Sequence, residues 1–266
     1  HLLIVEDNMT NQFIAQSILE QAGFVVNLAA NGKEGYELFA RNREKYHAIL
    51  MDLHMPVMNG FESASLIRKI DQNIPIIAMT ADAIAGVEEQ CSEVGINHYI
   101  SKPFEPEQFI KTIYEVVNAH VKLNVSIGEI VHTERYAVEM EPDVETETDI
   151  ESNQDISVID TATGIRNVGG NAELYGLILK EYLKENKDVS LILNKAINEN
   201  DYATAIQIVH KIKSSTGSIG AKSLHLAASE LQKALTDNEV ETVQRLSRVF
   251  NKLLKKVLVE IEERLV

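Results

Sequence analysis

The sequence has one cysteine and no tryptophan in 266 residues. A single thiol excludes an intramolecular disulfide and a cysteine metal cage, and it fits a reducing cytosol. Aromatic residues make up only 6% against 45% hydrophobic residues, so the core must be aliphatic, which suits helix-rich or α/β packing. No apolar run reaches the roughly eighteen residues of a membrane span, and nothing resembles a signal peptide. Positive charge is scarce. The net charge of −15 divides into −8 over residues 1–120, −8 over 121–158 and +1 over 159–266. No region has the excess of Lys and Arg that neutralising nucleic-acid phosphates requires, which disfavours nucleic-acid binding. An initiating Met is also missing. The chain opens "HLLIVEDN" directly into a strand, as expected of a piece of a longer protein, and an upstream membrane segment is compatible with that.

What is present over residues 1–120 is an alternation. The runs "LLIV", "FVVNLA", "AILMDL", "IPIIAMT" and "HYIS" have strand length, and helical patterns separate them. Gly23, Gly32, Pro75, Gly95 and Pro103 punctuate the boundaries. Five strands alternating with five helices predict an α/β doubly wound, five-stranded parallel sheet. Residues 121–158, with "EMEPDVETETDIESNQD", are too poor in apolar residues to fold alone and predict an acidic flexible linker. Within it, "VSIGEIVHTERYAV" has enough alternation for a short strand. A flexible chain of that length spans about 30–40 Å, so the flanking domains could meet or separate. Residues 159–266 are helical throughout, with turns at Asn200-Asp201, Gly220 and Asp237-Asn238. Short connections make the helices antiparallel neighbours, which predicts an all-α domain with a four-helix bundle.

In an open parallel sheet, chemistry collects at the carboxyl ends of the strands. Those ends bring together Glu6 and Asp7, Asp52, Thr80 and Lys102. Clustered carboxylates repel unless a cation joins them, and hard oxygen ligands suit Mg²⁺. A phosphoryl group there would meet the metal, a hydroxyl and an ammonium, with Asp52 as the candidate nucleophile. Taken singly, each residue has a plainer reading: acids at a helix N-terminus, a turn Asp, a strand-end Thr, a surface Lys. Their joint appearance at successive strand ends favours the site.

The second cluster lies in "IVHKIKSSTGSIGA", Ile208 to Ala221. At helical spacing, Ala205, Ile208, Val209, Ile212, Thr216 and Ile219 form an apolar arc, while His210, Lys213, Ser214 and Gly217 lie on the other side. A glycine inside a helix costs about 1 kcal/mol relative to alanine, so Gly217 needs a reason. Bare backbone beside an exposed imidazole, with Lys213 one turn away, describes a nucleophile facing an anion. The alternative is a solvated helix face with a chance histidine and a C-terminal glycine.

Residues 1–120 resemble a response-regulator receiver domain, on "VEDN", "MDLHMPVMNG", "MTA" and "SKPF". The resemblance implies a flavodoxin-like fold, Asp52 as phosphoacceptor, and Glu6, Asp7, Asp52 and the backbone carbonyl of His54 as Mg²⁺ ligands. It further implies Thr80 and Lys102 on the phosphoryl group, Tyr99 as the rotating aromatic partner of Thr80, and His54 and Asp82 as residues that tune phosphoryl lifetime. Residues 159–266 are similar to a histidine phosphotransfer (HPt) domain, on "HKIKSSTGSIGA". That implies His210 as phosphoacceptor on Nε2, Lys213 holding the phosphoryl group and Gly217 clearing the approach of a receiver. Ser214 departs from the commoner glycine.

This order resembles the C-terminal part of a hybrid sensor histidine kinase. It implies a phosphorelay from an upstream kinase His, in the same full-length chain, to Asp52, to His210, and on to the Asp of a separate response regulator. No Gly-rich ATP-binding module is present, so autophosphorylation with ATP is not expected. A cytoplasmic location is expected, at the cytoplasmic end of a membrane-bound sensor, without membrane contact by these residues. The competing reading is a phosphorylation-switched interaction module whose bundle only docks a partner.

Overall fold

The computed structural model describes residues 1–81, 87–125 and 157–265. Strands β1 (Leu2–Val5), β2 (Val26–Ala29), β3 (Ala48–Asp52), β4 (Ile76–Thr80) and β5 (His98–Ser101) pair in parallel, in the order β2-β1-β3-β4-β5. Between and after them run α1 (Met9–Gln21), α2 (Gly32–Arg41), α3 (Gly60–Ile70), α4 (Glu88–Glu93) and α5 (Pro106–Val125). Side chains alternate across each strand, so one sequence run feeds two cores. Leu2, Ile4, Leu50, Ile77 and Met79 pack with α1 and α5, whereas Leu3, Val5, Ile49, Met51 and Ala78 pack with α2, α3 and α4. This is the doubly wound sheet expected. Every residue of β3 is buried, and each large apolar side chain there contributes about 1.5–3 kcal/mol.

Local chemistry fixes the helix starts. Asn8, Asn31 and Asn59 each accept the N–H three residues on, and Glu62 returns the bond to the Asn59 N–H in a capping box. Such caps contribute about 1 kcal/mol each.

The C-terminal domain holds α6 (Thr161–Asn167), α7 (Ala172–Asn186), α8 (Val189–Asn198), α9 (Tyr202–Thr216), α10 (Lys222–Thr236) and α11 (Val240–Leu265). The turns fall where the sequence placed them, with Asn200, Gly220 and Asn238 at positive φ. One element differs. No turn was expected before Asn200, yet the chain breaks between α7 and α8, where the buried Asn186 side chain donates to the Tyr182 carbonyl at 2.7 Å and competes for the helical acceptor. The two halves together form one side of the bundle, with α9, α10 and α11 as the others.

The two domains pack on each other. The apolar cluster beneath α1 and α5 is continuous with the bundle core around Tyr182, Ile212 and Phe250, and α1 lies against α7 and α9. Helix α5 runs to Val125, past residue 120. Most of the expected acidic linker, residues 126–156, lies outside the described residues, as do the short strand expected there and Asp82. Among the described residues, no helix is long and apolar enough to cross a membrane.

Candidate functional site

The neighbours of β1 in the sheet are β2 and β3, so the chain reverses its winding there and a crevice opens at the carboxyl ends. Glu6 and Asp7 follow β1, Asp52 ends β3, Thr80 ends β4 and Lys102 follows β5. Glu6, Asp52, Thr80 and Lys102 are all buried. One carboxylate oxygen each from Glu6, Asp7 and Asp52 lies within 4.8 Å of the others. Lys102 Nζ donates to Glu6 Oε2 at 2.6 Å and to Asp52 Oδ2 at 2.5 Å, and the His54 backbone N–H donates to Asp52 Oδ1 at 3.0 Å. The loop after β3 closes tightly. A Cβ on Gly60 would stand 2.2 Å from the Asp52 carbonyl oxygen, so only glycine lets α3 start there.

Charge in this pocket is out of balance. Burial, then the Asp52 charge, pushes Glu6 up to about 8 despite Lys102, and the same two causes push Asp7 up to about 6. Burial would also raise Asp52, but Lys102, His210 and the hydrogen bonds outweigh it and hold Asp52 below the usual carboxylate range. Burial opposes the Lys102 charge, yet Asp52 and Glu6 overcome it and raise its pKa. Three carboxylates against one ammonium leave excess negative charge on hard oxygen donors, a set that fits a divalent cation. Glu6, Asp7 and Asp52 are the residues that could hold it.

The helix α9 brings His210 to the same place. His210 and Asp52 line one cavity of about 500 Å³, together with Asp7, His54, Lys211 and Ser214. The rings of His54 and His210 meet edge to face, 4.8 Å between centroids. The imidazole is therefore not exposed as the helical spacing implied. It keeps 7% of its surface, because the α/β domain covers that side of α9. Lys213 is buried too, but Lys211 rather than Lys213 lines the cavity. Gly217 faces the other domain, where an added Cβ would lie 3.1 Å from Pro103 Cγ and Cδ. Tyr99 lies on the same sheet face as Thr80, since its partner in β4 is Ala78, and its hydroxyl donates to the Ile96 carbonyl at 3.3 Å.

Two further residues join the clusters. Asn11 Nδ2 donates to Glu6 Oε1 at 3.2 Å and to Ser214 Oγ at 3.0 Å, so the hydroxyl that replaces the commoner glycine has a partner across the interface. Gln232 of α10 places Nε2 3.4 Å from His210 Nδ1. Neither was legible as functional: Asn11 reads as a polar residue in a helix, and Gln232 sits twenty-two positions from His210.

A family model described as the response regulator receiver domain matches residues 2–114, and one described as the Hpt domain matches residues 177–263. The chain carries a receiver domain followed by an Hpt domain. Hybrid signal transduction histidine kinase I of Dictyostelium discoideum is 37% identical over 127 residues, which is 45% of this chain and 7% of that protein. Peroxide stress-activated histidine kinase mak3 of Schizosaccharomyces pombe is 38% identical over 120 residues, 43% of this chain and 5% of that protein. The chain thus spans a small fraction of the length of these relatives. A solved receiver domain of a sensor histidine kinase from Pseudomonas aeruginosa is 35% identical, with a TM-score of 0.41 over 44% of this chain and 96% of that one. The receiver supplies the acidic pocket and the Hpt domain supplies the imidazole.

Proposed function

We propose that this chain is the phosphorelay segment of a hybrid histidine kinase, passing a phosphoryl group between Asp52 of the receiver and His210 of the Hpt domain. The observation that carries the reading is that both side chains line one cavity. The receiver is taken as residues 1–120, the acidic linker as 121–158 and the Hpt domain as 159–266. Histidine kinase names among the relatives support a kinase core in the same full-length chain as donor, a separate response regulator as the next acceptor, and a cytoplasmic setting.

Asp52 accepts the phosphoryl group through a carboxylate oxygen and later returns to carboxylate. Forming the P–N bond uses the Nε2 lone pair of His210, while the pair of the breaking P–O bond goes back to Asp52. The imidazole keeps its proton on Nδ1 through the step. Lys102 and Thr80 stabilise the phosphoryl oxygens, with Tyr99 packing toward Thr80, while Lys213, Ser214 and Gly217 shape the acceptor side. Glu6, Asp7, Asp52 and the His54 carbonyl would hold Mg²⁺, which when bound supplies neutralisation of phosphoryl charge. An acyl phosphate and a phosphoramidate are both reactive, so transfer is reversible and alignment is the main contribution of the protein.

Radiolabel from a small phosphodonor with Mg²⁺ tests this. Wild type should gain acid-labile, base-stable label that Asp52→Asn and His210→Gln each abolish. Label on Asp52 that never reaches His210, even from a separate labelled receiver, would make the Hpt domain a docking surface.

A further inference from the structure

The receiver and the Hpt domain meet through polar bonds that the transfer chemistry does not use. Helix α1 begins at Met9, and its own Asn8 cap serves only the Asn11 N–H, at 3.1 Å. The preceding two amides are served from the other domain. Glu185, on α7, accepts the Met9 N–H at 3.2 Å, the Thr10 N–H at 3.1 Å and the Thr10 hydroxyl at 2.6 Å. The same carboxylate pairs with Lys211 Nζ at 3.3 Å, and Lys211 lines the cavity of His210. The Glu185 side chain keeps only 9% of its surface, and Thr10 is fully buried. A carboxylate at a helix N-terminus is favoured by the oriented amides, and charge-assisted bonds are roughly twice as strong as neutral ones.

One residue therefore reads two features of the receiver at once, the direction of α1 and the hydroxyl at its second position. A Val or Ala there would leave one acceptor site of a nearly buried carboxylate unmatched, which is how polar sites reject analogues. A second contact repeats the logic one residue further, where Asn11 donates to Ser214. Because Asn11 also holds Glu6, that contact is tied to the phosphoryl site directly, whereas Glu185 reaches the cavity only through its pair with Lys211.

We infer that Glu185 and Thr10 form the specificity pair by which the Hpt domain selects its receiver. The partner it fits is a receiver whose α1 opens with a hydroxyl residue at its second position, as the chain's own does. This rests on the relay reading above and adds the partner chemistry to it. Since the docked receiver buries His210, its release must precede transfer to any further regulator, and Glu185 is then free to test the next α1.

The test uses full-length chains. A chain with His210→Gln, labelled on Asp52, donates to an unlabelled chain with Asp52→Asn. Thr10→Val in the acceptor and Glu185→Ala in the donor first remove each chain's own docked receiver as a competitor. On that background, Glu185→Ala in the acceptor, or Thr10→Val in the donor, should raise the half-saturating donor concentration at least tenfold, with the saturating rate of the Thr10→Val donor staying within twofold. The two together should do no worse than either alone, since each removes the same interaction. Unchanged half-saturation, an equal fall in the saturating rate, or additive effects would overturn the pair. If wild type never labels His210, the relay reading falls, and amide hydrogen exchange still decides the contact. Glu185→Ala should speed exchange at Met9 and Thr10 but not at Asn11, whose cap is internal to the receiver. Unchanged exchange at Met9 and Thr10 would remove Glu185 from the interface.

Discussion

Pro103 of the receiver lies over Gly217 of the Hpt domain so closely that one added methyl carbon would stand 3.1 Å from its Cγ and Cδ. The glycine backbone is right-handed helical, with φ −61°, so no left-handed turn demands glycine. The close approach does. Pro103 follows Lys102, which is pinned by Glu6 and Asp52, so the ring cannot retreat without disturbing the acidic pocket.

Gly217→Ala should consequently move two quantities in opposite directions. Alanine in a helical conformation stabilises by up to about 1 kcal/mol, so the melting temperature should hold or rise. Transfer from Asp52 to His210 should slow severalfold, and Gly217→Val should slow it further. A rapid-quench comparison with melting curves checks both signs. Unslowed transfer in Gly217→Val would mean that Pro103 does not approach Gly217 during the reaction.

The receiver pocket makes stability depend on pH and metal together. Glu6 and Asp7 sit at about 8 and about 6 in the fold, above their ordinary values near 4. The folded state thus binds more protons than the unfolded one across that window, so these two groups lose their stabilising effect as pH rises from about 4 to 8. A divalent cation displaces those protons. Mg²⁺ should raise the melting temperature by several degrees at pH 8 and by little at pH 5. Glu6→Gln and Asp7→Asn should each shrink the metal-dependent shift at pH 8. An equal Mg²⁺ effect at both pH values in the unaltered chain would count against proton displacement.

Val57 holds φ +71° in the loop after β3 while 81% of its surface is exposed. A β-branched residue pays about 1–2 kcal/mol for that backbone, and at this exposure its side chain loses little packing on replacement. Val57→Asn should stabilise the chain by roughly 1 kcal/mol, readable as a rise in the denaturant midpoint. An unchanged or lower midpoint would show that the loop is not strained there.

How far the sequence revealed the site depended on whether its signal was local. Asp52 and Lys102 were legible because short runs of strand length, "AILM" before Asp52 and "HYIS" before Lys102, fix where a strand ends, and the ends of parallel strands converge. His210, Ser214 and Gly217 were legible because α9 and its C-cap carry all three. The environment of His210 was not, since its burial comes from a receiver whose Asp52 lies more than a hundred residues away in sequence. Glu185 illustrates the same limit. Among 40 acidic residues nothing local marks the one that caps another domain's helix. The break at Asn186 was hidden because a helical pattern continues through it, and only the bond to the Tyr182 carbonyl reveals the competition.

Gln232 should govern which nitrogen of His210 attacks. Its Nε2 lies 3.4 Å from His210 Nδ1, while its buried Oε1 has no hydrogen-bond partner among the described residues. Amide oxygen and nitrogen are assigned from the bonds they make, and exchanging them aims Oε1 at Nδ1 and gives it a donor. That fixes the proton on Nδ1 and leaves the Nε2 lone pair for phosphorus. Gln232→Leu removes one neutral hydrogen bond of about 0.5–1.5 kcal/mol, so transfer to His210 should slow about three- to tenfold while phosphorylation of Asp52 is unchanged. Gln232→Glu, which can only accept when ionised, should keep the rate near that of the unaltered chain. Nitrogen-15 shifts of the His210 ring supply the independent readout, with Nδ1 protonated in the unaltered chain and in Gln232→Glu, and a mixture of tautomers in Gln232→Leu. A ring protonated on Nε2 in the unaltered chain would reverse the roles, with Gln232 donating to Nδ1 and Nδ1 the attacking nitrogen.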